Sequence, residues 1–290
     1  MMPVTVDWQG QAPISGPAIL TGGGRTTMLW CATQRDRANT PYADNSENAR
    51  TARSIYLRGL REFSILRTNS PDAWRWRRIV FAVKGISAVL PIGSRFAAET
   101  NDQGWTRAMA DYSGSASSNS RNSLEGLVFA GEGLKDWQSP FTAKVDRTRV
   151  TPLYDKTRIL RSGNQQGNYF KNKMWLPINK TLVYSDEEAG NDINQGQLST
   201  LGRQGLGDVF VWICLIVLPL IMPPLSSSSL RLLCTGTNDR PVDVYNIAVA
   251  HQPVNISALV CKRRCVTTVN SRPPPMNQLL SLVFVSRVKL

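Results

Sequence analysis

Residues 20–212 fall into short β-prone stretches set apart by clusters of Gly, Ser, Asn and Pro, with little helical periodicity. That combination predicts an all-β chain, an antiparallel β-sandwich whose short strands are joined by long polar loops. A jelly roll and an immunoglobulin-like sandwich both satisfy the pattern.

Thr26–Cys31 (TTMLWC) is a short β-prone run. Residues 44–53 are expected to form one or two helical turns capped by Asp44 or Asn45. Residues 54–66 are β-rich, with Gly59 a candidate bulge. Alternation in residues 74–84 places Ile79, Phe81 and Val83 on one face. Residues 111–123 (DYSGSASSNSRNS) are polar without a periodic apolar face and predict a mobile surface loop. Further strands are expected at 126–130, 148–154, 155–160, 173–177, 180–184 and 208–212.

Composition narrows the function classes. The chain has 290 residues, with 34 Lys and Arg against 21 Asp and Glu, a net charge of +13 and a pI of about 9.9. Such an excess points to a polyanionic partner such as nucleic acid. A hydrophobic content of 42% argues against wholesale disorder. His251 is the only histidine, which disfavours histidine-based catalysis and multi-histidine metal sites. Five cysteines without a signal peptide read as an intracellular chain rather than a disulfide-stapled secreted module. An enzyme, a cofactor and a small-molecule substrate are not expected.

The composition changes after Trp212. All eight tryptophans precede that point, whereas four of the five cysteines follow it and only Tyr245 and Phe284 remain as aromatics. Residues 1–212 hold 26 basic and 19 acidic side chains, and residues 213–290 hold 8 and 2. Aromatic side chains supply much of a core's buried area, so 20–212 reads as the folded body behind a short N-terminal segment, 1–19. Residues 213–290 read as an aberrant C-terminal tail. It opens within the 17-residue apolar run 209–225, which carries Pro219, Pro223 and Pro224. The run falls below the ~20 residues that span a bilayer, so membrane insertion is disfavoured. Cys261 and Cys265 lack the further ligands a zinc site requires.

Two basic constellations stand out. Trp74-Arg75-Trp76-Arg77-Arg78 joins indoles to guanidiniums, which can stack on bases and pair with phosphates, or can pack as an ordinary strand with paired arginines. Lys144, Arg147, Arg149, Lys156, Arg158, Arg161, Lys171 and Lys173 form the second. A turn at 151–155 is expected to separate Arg147 and Arg149 from Lys156 and Arg158, each pair sharing one face of a strand. Phosphate contact through them would be sequence-independent, the alternative being a solvated basic face. Asp186-Glu187-Glu188 lacks the spaced oxygens of a cation loop, and Leu20-Thr-Gly-Gly-Gly24 lacks the lysine of a phosphate-binding loop. The sequons at Asn179 and Asn255 have no secretion signal to support their use.

Taken in order, several segments resemble the capsid proteins of genomoviruses, small circular single-stranded DNA viruses. They are Leu20-Thr-Gly-Gly, Leu29-Trp-Cys-Ala-Thr, Tyr56-Leu-Arg-Gly-Leu-Arg-Glu62, Trp74-Arg-Trp-Arg-Arg78, Val145-Asp-Arg-Thr-Arg149, Leu153-Tyr-Asp-Lys156, Lys173-Met-Trp-Leu-Pro177 and Gly205-Leu-Gly-Asp-Val-Phe-Val-Trp212. The match covers residues 17–212. It implies a single jelly roll, self-assembly into an icosahedral shell, packaging of single-stranded DNA, and passage through the host nucleus to the virion. Arg75, Arg77, Arg78, Arg147, Arg149, Lys156, Arg158 and Arg161 are the residues expected to neutralise the genome.

The chain departs from that pattern twice. Such capsids usually begin with an arginine-rich arm, whereas the first basic residue here is Arg25. Residues 213–290 lack the expected final strand. A single G lost after the Trp212 codon would leave them out of frame, and restoring it permits a short ending in Tyr-Trp followed by an early stop. The rival expectation is a membrane-associated nucleic-acid-binding viral protein, a movement or silencing factor held by its tail.

Overall fold

The computed structural model describes residues 4–7, 13–21, 24–35, 37, 50–90, 96–100, 104–163, 166–189, 192–218, 230–231, 246–247 and 279–289. In chain order the strands are β1 (Val4–Asp7), β2 (Ile14–Ser15), β3 (Ala18–Thr21), β4 (Thr26–Cys31), β5 (Ser54–Thr68), β6 (Ala73–Val83), β7 (Ala97–Thr100), β8 (Gly104–Arg107) and β9 (Met109–Asp111). After helix α1 (Ser118–Val128) come β10 (Thr151–Leu160), β11 (Tyr169–Ala189), β12 (Asp192–Ser199), β13 (Asp208–Leu218), β14 (Leu230–Arg231), β15 (Asn246–Ile247) and β16 (Leu279–Lys289). The described residues are mostly β.

The chain divides into two compact units, Met1–Leu218 with Asn277–Leu290, and Pro219–Met276. In the smaller unit, β14 pairs antiparallel with β15. The larger unit holds a seven-stranded sheet of order β10-β6-β13-β4-β9-β1-β2 and a five-stranded sheet of order β12-β11-β5-β16-β3. Pairing is antiparallel except between β1 and β9. A separate hairpin joins β7 and β8.

The central strands β4, β6 and β13 of the seven-stranded sheet are buried on both faces, whereas the edge strands β10 and β2 are largely exposed. Towards the five-stranded sheet, Trp74, Trp76, Val80, Val211 and Ile213 pack with Leu57, Leu60, Leu66 and Ile178. On the opposite face, Ile79, Phe81, Phe210 and Trp212 pack with Leu124 and Val128 of α1 and with Phe129 and Phe141. The expected grouping of Ile79, Phe81 and Val83 on one face is observed.

Several local expectations are corrected. Residues 111–123 are not simply a loop, because α1 begins at Ser118, and Leu124 and Val128 are spaced one helical turn apart on its buried side. The same helix replaces most of the strand expected at 126–130. No turn interrupts 151–155: β10 is continuous, and its register shift between Pro152 and Tyr154 falls beside a residue that has no N–H to donate. Residues 173–184 likewise form one strand, bulged between Pro177 and Lys180, with Asn179 at a φ of 50°. Most of the helical turns expected at 44–53 lie outside the described residues.

The boundary expected after Trp212 falls inside β13. Ile213, Cys214 and Leu215 are as buried as the residues before them and continue both ladders, Ile213 opposite Met28 and Arg78. Residues 209–218 of the apolar run are therefore sheet core, while 219–225 lie outside the described residues. Strand β16, also from the expected tail, runs between β5 and β3.

Candidate nucleic-acid interface

The eight arginine and lysine positions singled out in the sequence divide by burial. Strand β6 alternates, so Trp74, Trp76 and Arg78 face the five-stranded sheet and Arg75 and Arg77 face the α1 side. Arg77 is 5% exposed and donates to both oxygens of Asp155, at 2.9 and 2.6 Å, and to the carbonyls of Pro140 and Ala143. Its guanidinium also lies 5.2 Å from the centre of the Phe129 ring. Arg78 is 2% exposed and pairs with the equally buried Glu62 of β5.

These two arginines are a correction to the expected genome-contacting set. Arg77 spends its donors on internal acceptors, and Arg78 is turned inward onto the Glu62 carboxylate and the Met174 sulfur, the kind of partner a charge brought into a core needs. Arg77 fastens the edge strand β10 to β6, and Arg78 joins β6 to β5 of the facing sheet. Arg75 is half-buried, its guanidinium 5.6 Å from the Phe141 ring centre. The ordinary-strand reading of Trp74–Arg78 therefore prevails.

The other five are exposed. Lys156 and Arg158 share one side of β10, the edge strand, as the i, i+2 spacing anticipates, and Arg161 follows just beyond the strand's end. Arg158 donates to Asn172 of β11 at 3.0 Å. Arg147 and Arg149 do not sit on a strand but in a turn that precedes β10. Arg149 pairs with Asp146 at 3.2 Å and donates to the Gly126 carbonyl. The Thr148 hydroxyl and N–H hold the Asp146 carboxyl below its usual range.

The acidic stretch at Asp186 has another role. Arg50, fully buried, makes a two-pronged pair with Asp186, donates to the Gly196 carbonyl at 2.9 Å, and lies 4.3 Å from the centre of the Tyr184 ring. That pairing lowers the Asp186 pKa. Among the described residues no group of three or more His, Cys, Asp and Glu could hold a metal ion, and no helix is long and apolar enough to cross a membrane. His251, Asn255, Cys261 and Cys265 lie outside the described residues.

Sequence reasoning missed a buried polar node. Asp208, 1% exposed, accepts from the Ser199 N–H and hydroxyl, at 3.0 and 2.7 Å, and from the Thr33 hydroxyl at 3.2 Å. Burial pushes its carboxyl up to about 6 against those donors. Of the outer face of the five-stranded sheet, sequence reasoning singled out only Lys171 and Lys173. There Arg61 and Arg67 of β5 sit beside Lys171 and Lys173 of β11, all on outward positions. Alternation of charge with aromatic residues was the available signal.

No protein-family model matches the chain, and no curated protein matches it.

Proposed function

We propose that the chain is a viral capsid protein of the genomovirus type, a jelly roll that self-assembles into a small icosahedral shell and packages circular single-stranded DNA. The observation that carries the reading is the row of exposed cations, Lys156, Arg158 and Arg161, at the edge of a sheet whose central strands are buried on both faces. A rigid layered sandwich with phosphate-seeking charge at one margin suits a shell subunit, because electrostatic contact needs no base-reading geometry. The sheet order supports a jelly roll: the late strand β13 lies between the early strands β4 and β6, as a chain folded back along its own length requires. Arg147 and Arg149 extend the basic margin. Virion and host nucleus are the corresponding locations.

Expression of the full chain with a circular single-stranded DNA tests the proposal. Electron microscopy should show closed particles, and the DNA inside them should survive nuclease. Soluble monomers that leave the DNA digestible would overturn it.

A further inference from the structure

We infer that the outer face of the five-stranded sheet is a stacking platform for single-stranded DNA, separate from the β10 margin. The inference rests on the nucleic-acid reading above but assigns different residues and a different contact, base to ring. On β5 the outward positions are Arg61, Phe63, Ile65 and Arg67, and on β11 they are Tyr169, Lys171, Lys173 and Trp175. The register sets Tyr169 opposite Arg67, Lys171 opposite Ile65, Lys173 opposite Phe63 and Trp175 opposite Arg61. Each cross-strand pair thus matches one cation to one apolar or aromatic side chain, and none of the eight is acidic.

Solvent exposure sets these rings apart from the core aromatics. Tyr169 is 49% exposed and Trp175 47%, whereas Trp74 and Trp212 are fully buried. Lys171 Nζ lies 5.3 Å from the Tyr169 ring centre and Lys173 Nζ 5.9 Å from that of Phe63, so ring and ammonium are held side by side. A cavity of about 360 Å3, lined by Arg61, Glu62, Phe63, Lys173, Met174 and Trp175, opens at one end of the face.

Two outward positions on a strand are about 7 Å apart. That interval lets successive nucleotides of an extended strand place bases on rings and phosphates on cations. A duplex keeps its base faces stacked on one another and can use only the cations. The chemistry therefore favours single strands over duplex and over a phosphate chain without bases.

Binding of the full chain to a labelled oligo(dT), a duplex of equal length and inorganic polyphosphate, at one salt concentration, tests this. Oligo(dT) should bind most tightly. Replacing Tyr169→Leu and Trp175→Leu together should weaken it about ten-fold or more while polyphosphate binding stays unchanged. Equal loss for both ligands, or no loss for oligo(dT), would overturn the inference. A variant-free measurement guards against misfolding: photocrosslinking of bromodeoxyuridine oligomers should mark peptides spanning 59–68 or 169–176. Crosslinks confined to 147–161 would overturn the platform. Nuclease-resistant particles alongside such crosslinks would leave the capsid reading standing, and platform crosslinks without particles would do the reverse.

Discussion

Arg77 grips Asp155 with two parallel N–H···O bonds, 2.9 and 2.6 Å long, which bind β6 to the edge strand β10. The two residues are unequal partners, since the Arg77 side chain is 6% exposed and that of Asp155 35%. Arg77→Ala also strips the donor from the carbonyls of Pro140 and Ala143. Urea denaturation should show a loss of about 3 kcal/mol for Arg77→Ala and about 1 kcal/mol for Asp155→Asn. Equal effects would contradict the arrangement.

Arg78 and Glu62 are both buried, so either one alone is more costly than neither. Glu62→Gln should destabilise by about 3–5 kcal/mol, whereas combining Glu62→Leu with Arg78→Met should recover most of that loss. The double variant should bind oligo(dT) like the parent. A fall in binding without a fall in stability would return Arg78 to the nucleic-acid interface.

The exposed margin behaves differently. Changing Lys156, Arg158 and Arg161 to Gln should leave the melting temperature within a few degrees and flatten the salt dependence of single-strand binding. The slope of log K against log salt should fall by about 2 if all three contact phosphate. An unchanged slope would remove these residues from the interface.

Asp208 gives a pH dependence of definite sign. Its folded carboxyl titrates at about 6 rather than at the ordinary 3.8, so between those values the folded chain holds the proton more tightly than the unfolded chain. Its contribution is complete below pH 4 and is lost as pH rises through 6, an amount of about 3 kcal/mol. Asp208→Asn should flatten the stability profile across that window. A variant retaining the parent's slope would exclude Asp208 as its source.

Gly59 is fixed by its neighbours. A Cβ there would stand 2.5 Å from the Leu176 carbonyl oxygen and 2.7 Å from the Trp175 indole. Gly59→Ala should therefore cost about 1–3 kcal/mol and lift Trp175 off the sheet, seen as increased acrylamide quenching.

Much of the β-architecture was legible because alternation in β6 and apolar continuity in β13 are direct imprints of burial. Helix α1 was not, since its core side is marked only near its end, by Leu124, Leu127 and Val128, after a run of Ser, Asn and Arg. Its helicity comes from packing rather than propensity. Burial also decided the arginines. Arg77 and Arg158 look alike as letters, and only the acceptors at Asp155, Pro140 and Ala143 separate an anchor from a surface charge. The expected turn at 151–155 failed because Pro152 reads as punctuation, yet an edge strand tolerates it as a bulge.

Strand β16 follows every other strand of its sheet in the chain, yet it occupies an interior place, Leu280 opposite Thr68 on one side and opposite Leu20 on the other. Its loss would not trim the sheet's margin but split it, leaving β3 and β5 as two raw edges across an empty slot. During synthesis those edges must wait, exposed, until residues 279–289 emerge, an interval in which strands of neighbouring chains could insert instead. Residues 279–289 are thus no appendage: they supply the strand that joins β3 to the rest of this sheet.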